Sequence, residues 1–421
     1  MENAVKKTAL HGWHAAQGAK MADFGGYEMP LWYASAKNEH LAVLQQAGLF
    51  DTSHMAAVLV SGPDARDLLQ LCFTNDLEAC LGKKKLPLTP GRCVYGAYLD
   101  AQGGVIDDSI INQLAQDSYM AVVNAGMGGV VADHLKAQAG DREVAVSDLT
   151  DQLGKIDVQG PLAAKILRNV LADPDAAFAN MVYFSFKGHF DPASPLADAV
   201  RLTDDTPLLL SRTGYTGEFG FEIFVAPDQV VKTWETIYQA GQAFGLTACG
   251  LAARDSLRGG AVLPLSHQDI GPWPFIHHPW SFALPFNADK SGFTKSFIGD
   301  QALLSVDSPD HTYPFVGKDL RKVSTPAAVL DSEGNLLGTV LTCVSDMGIG
   351  YHEGRLLSVA SPDKPRDFRP RGLCCGFVKV KAPLEPGAAV VLEDQRRSLN
   401  VTIVTDIRPD RTARRPIQEM L

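Results

Sequence analysis

Two stretches roughly a hundred residues apart share one grammar, Val60-Ser-Gly-Pro-Asp-Ala-Arg-Asp-Leu-Leu69 and Val158-Gln-Gly-Pro-Leu-Ala-Ala-Lys-Ile-Leu167. Each follows an alternating strand and breaks at Gly-Pro. Each then opens a helix with proline in its first turn, where the missing N–H costs nothing. In the first copy Ala65, Leu68, Leu69 and Cys72 recur at helical spacing. A repeated strand–helix unit of this kind predicts two related lobes folded against each other.

The second constraint is Ser211-Arg-Thr-Gly-Tyr-Thr-Gly-Glu-Phe-Gly-Phe-Glu-Ile-Phe224, which follows the apolar run Leu208 to Leu210. Gly214, Gly217 and Gly220 crowd its centre, and an alternating strand resumes at Phe221. Alternation sets Phe221, Ile223 and Val225 on one face and Glu222 with Phe224 on the other. If both faces are covered, Glu222 must be paired, because an unpaired buried carboxylate costs several kcal/mol. A neutral heterocycle offering two N–H donors side by side would satisfy it, and a solvated strand carboxylate is the plainer reading.

Between the repeated units the sequence predicts a hairpin: Tyr95 to Leu99, a turn over 100–104, and a return over Val105 to Asn112. On the return strand Asp108 shares a face with Ile106 and Ile110, while Asp107 lies with Val105, Ser109 and Ile111. An acid flanked by isoleucines sits where burial raises a pKa or a ligand claims the carboxylate. The following Val122-Val-Asn-Ala-Gly-Met-Gly-Gly129 evokes a dinucleotide fingerprint, but Val131 stands at the third glycine position. A tight strand-to-helix turn is the reading there. Farther on, Val230, Trp234, Ile237 and Tyr238 line one face of a helix opened by Pro227-Asp228. Gly250 to Arg258 predicts another helix, with Arg254 and Arg258 on one face for a carboxylate ligand or an internal ion pair.

Nearer the start, Leu10 to Gln17 and Ser35 to Ala47 read as helices, and Phe24 to Tyr33 as an aromatic loop broken by Gly25-Gly26 and Pro30. Leu49 to Met55 carries four hydrogen-bonding side chains in a row and is read as a cap and turn. From about 310 the pattern changes to short strands at Ala327–Leu330, Gly338–Cys343, Gly376–Val380, Ala389–Leu392 and Leu399–Val404, a separate small β domain. A net charge of −10 argues against a non-specific nucleic-acid binder. The seven cysteines are scattered without a C-x-x-C pair, which fits a reduced, cytoplasmic compartment and no zinc site. His277 and His278 are adjacent, diverge, and lack further ligands for a metal. The N-terminus has no signal-peptide core and no apolar run reaches membrane-spanning length, so no membrane partner is expected.

Taken in order, several stretches resemble the aminomethyltransferase family, the T-protein of the glycine cleavage system. They are Gly18 to Tyr33, Phe50 to Met55, Gly103 to Asp108, Gln159 to Pro161, Ser211 to Glu222 and Gly250 to Arg258. The resemblance implies an α+β, three-domain cloverleaf: two related α/β lobes around a folate-binding opening, plus a C-terminal β-barrel domain. It places the folate-binding region, as two interwoven lobes, at 1–305 and the barrel at 306–421. By position it implies that Glu222 holds the pterin edge of tetrahydrofolate, that Met55, Tyr95, Tyr183 and Tyr215 line the ring, and that Arg254 helps place it. Asp108 would be the catalytic carboxylate, beside the nitrogens that accept a one-carbon unit from an aminomethyl group on a lipoylated carrier protein.

The chain also departs from the family pattern. Gly259-Gly260 stand where a Leu-Glu is usual, Ser266-His-Gln-Asp269 replaces Tyr-Gly-x-Asp, and the loop 270–281 carries Trp273, His277, His278 and Trp280. As the resemblance places them, these changes gather towards the donor. A folate-dependent demethylase acting on a small methylated substrate, and a non-catalytic folate-binding assembly factor, are the alternative functions.

Overall fold

The computed structural model describes residues 5–307 and 310–421. Both repeated units form as expected. Strand Ala56–Ser61 runs through Gly62-Pro63 into helix Ala65–Cys72, and strand Gly154–Gln159 through Gly160-Pro161 into helix Ala163–Arg168. Gly62 and Gly160 share one backbone state, with φ of +129° and +128°. Only glycine adopts it without strain. It also permits the same close approach twice: a Cβ on Gly160 would lie 2.6 Å from the Gln46 carbonyl, and one on Gly62 would collide with the Glu143 carbonyl. Each turn ends alike, with Leu162 N–H donating to Gln46 and Asp64 N–H to Glu143.

Each unit builds a lobe. In the first, a five-stranded sheet runs in the order Cys93–Leu99, Val105–Ala115, Ser118–Val123, Ala56–Ser61, Ala145–Asp148. In the second, a six-stranded sheet runs Phe186–Gly188, Leu209–Ser211, Gly220–Val225, Gly154–Gln159, Gly48–Asp51, Thr247–Ala248. The central pairings match: Ala56 opposes Val123 as Gly154 opposes Val225. The chain enters the second sheet at Gly48–Asp51 before it builds the first, so the lobes interweave. Helix Ala65–Cys72 buries the four apolar residues read from its periodicity. Helix Val230–Gly241 buries Val230, Trp234 and Ile237 in the second core, and Tyr238 packs on its edge.

Three expectations are corrected. Residues 20–32 are not a loop but a hairpin, Lys20–Phe24 paired with Tyr27–Trp32 around Gly25-Gly26. Pro30 is tolerated because this ribbon has only two strands, so its missing N–H faces no third partner. The segment after helix Ala36–Gln45 opens as a fully buried strand, Gly48–Asp51, and only then makes the expected turn at 52–55, closed by Met55 N–H donating to the Thr52 carbonyl. His311–Gly317 is a further strand that completes a closed six-stranded barrel, in the order His311–Gly317, Leu373–Val380, Leu336–Asp346, Ala327–Leu330, Ala389–Glu393, Ser398–Ile403. Pro314 fits there because the ladder to Ser398–Ile403 begins only at Phe315. No helix among the described residues is long and apolar enough to cross a membrane.

The barrel docks on the lobes through helix Leu251–Gly260. Its last two glycines let the barrel strand come close: a Cβ at Gly259 would lie 2.6 Å from Val344 Cγ2, and one at Gly260 would overlap the Asp346 carboxylate. Asp346 accepts hydrogen bonds from Gly348 N at 2.8 Å and Arg408 Nη1 at 2.5 Å, and its Oδ1 lies 3.1 Å from His40 Nε2. The space beside Gly260 is thus filled by the Asp346 carboxylate from the barrel. Gly260→Ala is expected to destabilise the protein by roughly 1–3 kcal/mol through overpacking of this joint, read as a fall in thermal midpoint. An unchanged midpoint would show that the helix–barrel joint has slack.

Candidate functional site

Where the two lobes and the barrel meet lies a cavity of about 1690 Å³. All seven residues singled out from the sequence, Met55, Tyr95, Asp108, Tyr183, Tyr215, Glu222 and Arg254, line it. They arrive from both sheets, from the loops that end them and from the docking helix.

Glu222 sits on the strand face opposite Phe221, Ile223 and Val225, which enter the second core as the alternation required. Its carboxylate is already paired: Lys155 Nζ donates to Oε1 at 2.5 Å and the Thr213 hydroxyl donates to Oε2. The ammonium of Lys155 is itself buried, and donates also to Asp157 Oδ1 at 2.6 Å and Thr52 Oγ1 at 3.2 Å. Arg254 closes the cluster by donating to Asp157 Oδ2 at 2.9 Å, with its guanidinium 4.7 Å from the Tyr215 ring centre. Two cations and two carboxylates therefore balance. Burial alone would raise the Asp157 carboxyl, but the charges of Lys155 and Arg254 outweigh it and hold it below the usual carboxylate range. Each Glu222 oxygen spends one acceptor site on the protein, and a carboxylate has about four. A neutral partner with two adjacent N–H donors can use the remainder.

On the facing wall the Val105–Ala115 strand carries Asp107 and Asp108. The hairpin bulges at Ile106, so Tyr98 opposes Asp107 and Ala97 opposes Asp108. Neither aspartate is a plain solvated residue. Asp108 lines the cavity and accepts from the Tyr95 hydroxyl at 2.8 Å and Asn124 Nδ2 at 2.7 Å. Asp107 is fully buried and accepts from Asn124 N, Asn124 Nδ2 and Ser266 Oγ at 2.9, 2.7 and 2.9 Å. Asn124 thus bridges the pair. Burial, reinforced by the neighbouring Asp108 charge, pushes the Asp107 carboxyl up to about 7. Burial also raises Asp108, against the hydrogen bonds from Tyr95 and Asn124.

The remaining wall is aromatic and basic. The Tyr215 hydroxyl donates to the Pro264 carbonyl. Tyr183 lies 5.3 Å from the Arg414 guanidinium, and Tyr95 5.7 Å from the Phe282 ring. Burial holds His54, behind Met55, neutral with its pKa down to about 4. Arg258 takes the internal ion pair that the sequence left open beside a carboxylate ligand, and is fully buried against Asp269, Asp255 and the Thr342 hydroxyl.

Sequence reasoning missed Lys155, Asp157 and Asn124. Lys155 and Asp157 alternate with Ile156 and Val158, the pattern of a half-solvated strand, yet all six residues of Gly154–Gln159 are buried. Asn124 ends the strand before Gly126 and was legible only as a turn residue. The unusual loop 270–281 is largely packing: Trp280 is buried against Phe377 of the barrel, and His278 stacks on Phe275 with ring centres 4.0 Å apart. Among the described residues no cluster of His, Cys, Asp and Glu is placed to hold a metal ion.

The profile of the family described as "GCVT N-terminal domain" matches residues 10–274. The aminomethyltransferase of Bacillus subtilis (strain 168) is 36% identical over 366 residues, covering 80% of this chain and 94% of that one. The aminomethyltransferase of Symbiobacterium thermophilum is 37% identical over 347 residues, covering 81% and 86%. The crystal structure of glycine cleavage system aminomethyltransferase T from Bartonella henselae superposes with a TM-score of 0.72 at 27% identity, over 95% of this chain and 97% of that one. Two interwoven lobes, a closed barrel and this extent of likeness place the chain in the aminomethyltransferase family of folate-dependent transferases.

Proposed function

We propose that this chain moves a one-carbon unit from an aminomethylated lipoyl arm on a carrier protein to tetrahydrofolate, giving methylene-tetrahydrofolate, ammonia and the arm released as its free dithiol. The observation that carries this reading is one cavity with Glu222 and Asp108 both in its wall. Its volume of about 1690 Å³ exceeds the roughly 300–1,000 Å³ of a site for one drug-sized ligand, which leaves room for a second reactant. The changes at Gly259-Gly260 and in loop 270–281, which had pointed to another donor, have packing explanations. The free state of all seven cysteines supports a reducing, cytoplasmic setting.

When bound, tetrahydrofolate supplies the nucleophilic nitrogen that accepts the carbon. The chain supplies position and charge. Glu222, paired with Lys155 and Thr213, would receive the two N–H donors of the pterin edge. Met55, Tyr95, Tyr183 and Tyr215 flank the ring, and Arg254 steadies the floor beneath Tyr215. Asp108, fixed by Tyr95 and Asn124, would supply a preorganised carboxylate to stabilise the positive charge that develops on the transferred carbon. Asp107 is a positioning residue, acting through Asn124 and through its charge on Asp108.

Glu222→Gln is expected to weaken tetrahydrofolate binding by roughly 1–3 kcal/mol; unchanged affinity by calorimetry would remove Glu222 from the pterin site. Asp108→Asn is expected to lower turnover far more than folate affinity, and wild-type turnover in that variant would retire the role. The carboxyl pair adds a pH signature. Its members are raised, so the folded chain holds a proton from about pH 4 to about 7 that the unfolded chain has lost. The pair's contribution to stability therefore falls as pH rises through that window. Turnover should rise over the upper part of it, as the pair becomes fully ionised. Asp107→Asn removes one of the two repelling charges and should move that limb to lower pH. A limb that stays in place would assign it to another group.

A further inference from the structure

Barrel strands Leu336–Asp346 and Leu373–Val380 are antiparallel neighbours whose ends, Asp346 and Leu373, lie directly opposite. A turn of about two to five residues would join them. The chain instead makes an excursion over 347–372, with its own hairpin, Ile349–His352 and Arg355–Ser358, outside the barrel sheet. Between this excursion and the segment 318–325 runs a second groove of about 1340 Å³.

The groove is basic in an acidic chain. It is lined by Lys318, Arg321, Lys322, Arg369, Arg371 and Arg397, against Asp319 and Asp367. Arg321 is held by Asp319 at 2.7 Å. Among the described residues, the other five cations have no carboxylate within ion-pair distance. The whole chain carries −10, so an acidic partner is drawn to this groove and repelled elsewhere. Apolar side chains are exposed in the same place, Tyr351 at 45% and, beside the groove floor, Leu320 at 41%. Arginines beside an exposed tyrosine match the composition of protein interfaces, whereas a small anion needs only the charges.

Lys322 lines both this groove and the central cavity. The groove therefore adjoins the cavity at Lys322. We infer that the excursion 347–372 and the adjoining 318–322 segment form a docking face for an acidic surface of the partner protein that delivers the one-carbon unit. A partner seated there would hold its prosthetic arm next to the cavity wall at Lys322. The inference rests on the carrier-dependent reaction proposed above.

The test uses the full chain with Arg369→Glu and Arg371→Glu combined. Both side chains are exposed, and Arg369 donates only to the nearby carbonyls of Arg366 and Phe368. Transfer to tetrahydrofolate is measured from purified lipoylated carrier protein and from free aminomethyl-dihydrolipoamide. The expected result is a KM for the carrier raised about tenfold or more, as for loss of electrostatic steering, with kcat and the free-donor reaction unchanged. Added salt should raise the wild-type KM for the carrier and leave the variant's nearly flat. An unchanged KM for the carrier overturns the docking face while leaving the reaction intact. So does a defect confined to polyglutamylated folate, which would assign the groove to the acceptor's anionic tail. If the wild type transfers from neither donor, the proposed reaction fails; calorimetric binding of the carrier to both proteins then still decides the docking face, equal affinity overturning it.

Discussion

The cavity depends on one buried ammonium. Lys155 sits on the strand that pairs with Gly220–Val225, in a register that sets Asp157 opposite Glu222. Taking such a charge out of water costs several kcal/mol unless it is matched. Here it is matched by Asp157 and Glu222 at 2.6 and 2.5 Å, with Thr52 adding a third acceptor. Arg254 then balances the second carboxylate from the docking helix. Four segments distant in sequence are tied at one point. The same tie fixes the direction of the Glu222 carboxylate and leaves the cluster as a whole without net charge.

A second buried cluster joins the barrel to this floor. Arg408 lies between Asp346 of the barrel and Glu218 of the glycine-rich loop, and Thr412 donates to the same Glu218 at 2.6 Å. From there the C-terminal segment returns to the second lobe, where Ile417 and Met420 enter its core. Arg411 and Arg414 are carried into the cavity wall on the way. The loop 212–219 is therefore held from both sides, by Gln159 within the lobe and by Arg408 and Thr412 from beyond it. Preorganisation of the site follows from these ties.

Much of this was legible from residues alone. The Gly-Pro repeat disclosed two lobes because both copies need the same positive φ and the same close approach. The hairpin over 95–112, the apolar faces of two helices and the separate strand faces of Asp107 and Asp108 followed from periodicity, whereas the folate-side place of Asp108 came with the family resemblance. What escaped was set by tertiary context. Lys155 and Asp157 look solvated on an alternating strand, and only the neighbouring strand and helix reveal that they are buried. Pro30 and Pro314 hid strands because the sequence does not say which edge lacks a partner. Gly259 and Gly260 read as a lost carboxylate, whereas they make room for one contributed from the barrel nearly ninety residues on.

The central claim is that one cavity brings a folate held at Glu222 to a cationic carbon stabilised at Asp108. Its most direct test is a single turnover with tetrahydrofolate and aminomethylated lipoyl carrier, with both products quantified. The account expects methylene-tetrahydrofolate and ammonia in equal amounts. Folate bound without either product, or methyl-folate formed only from a small methylated donor, would contradict it.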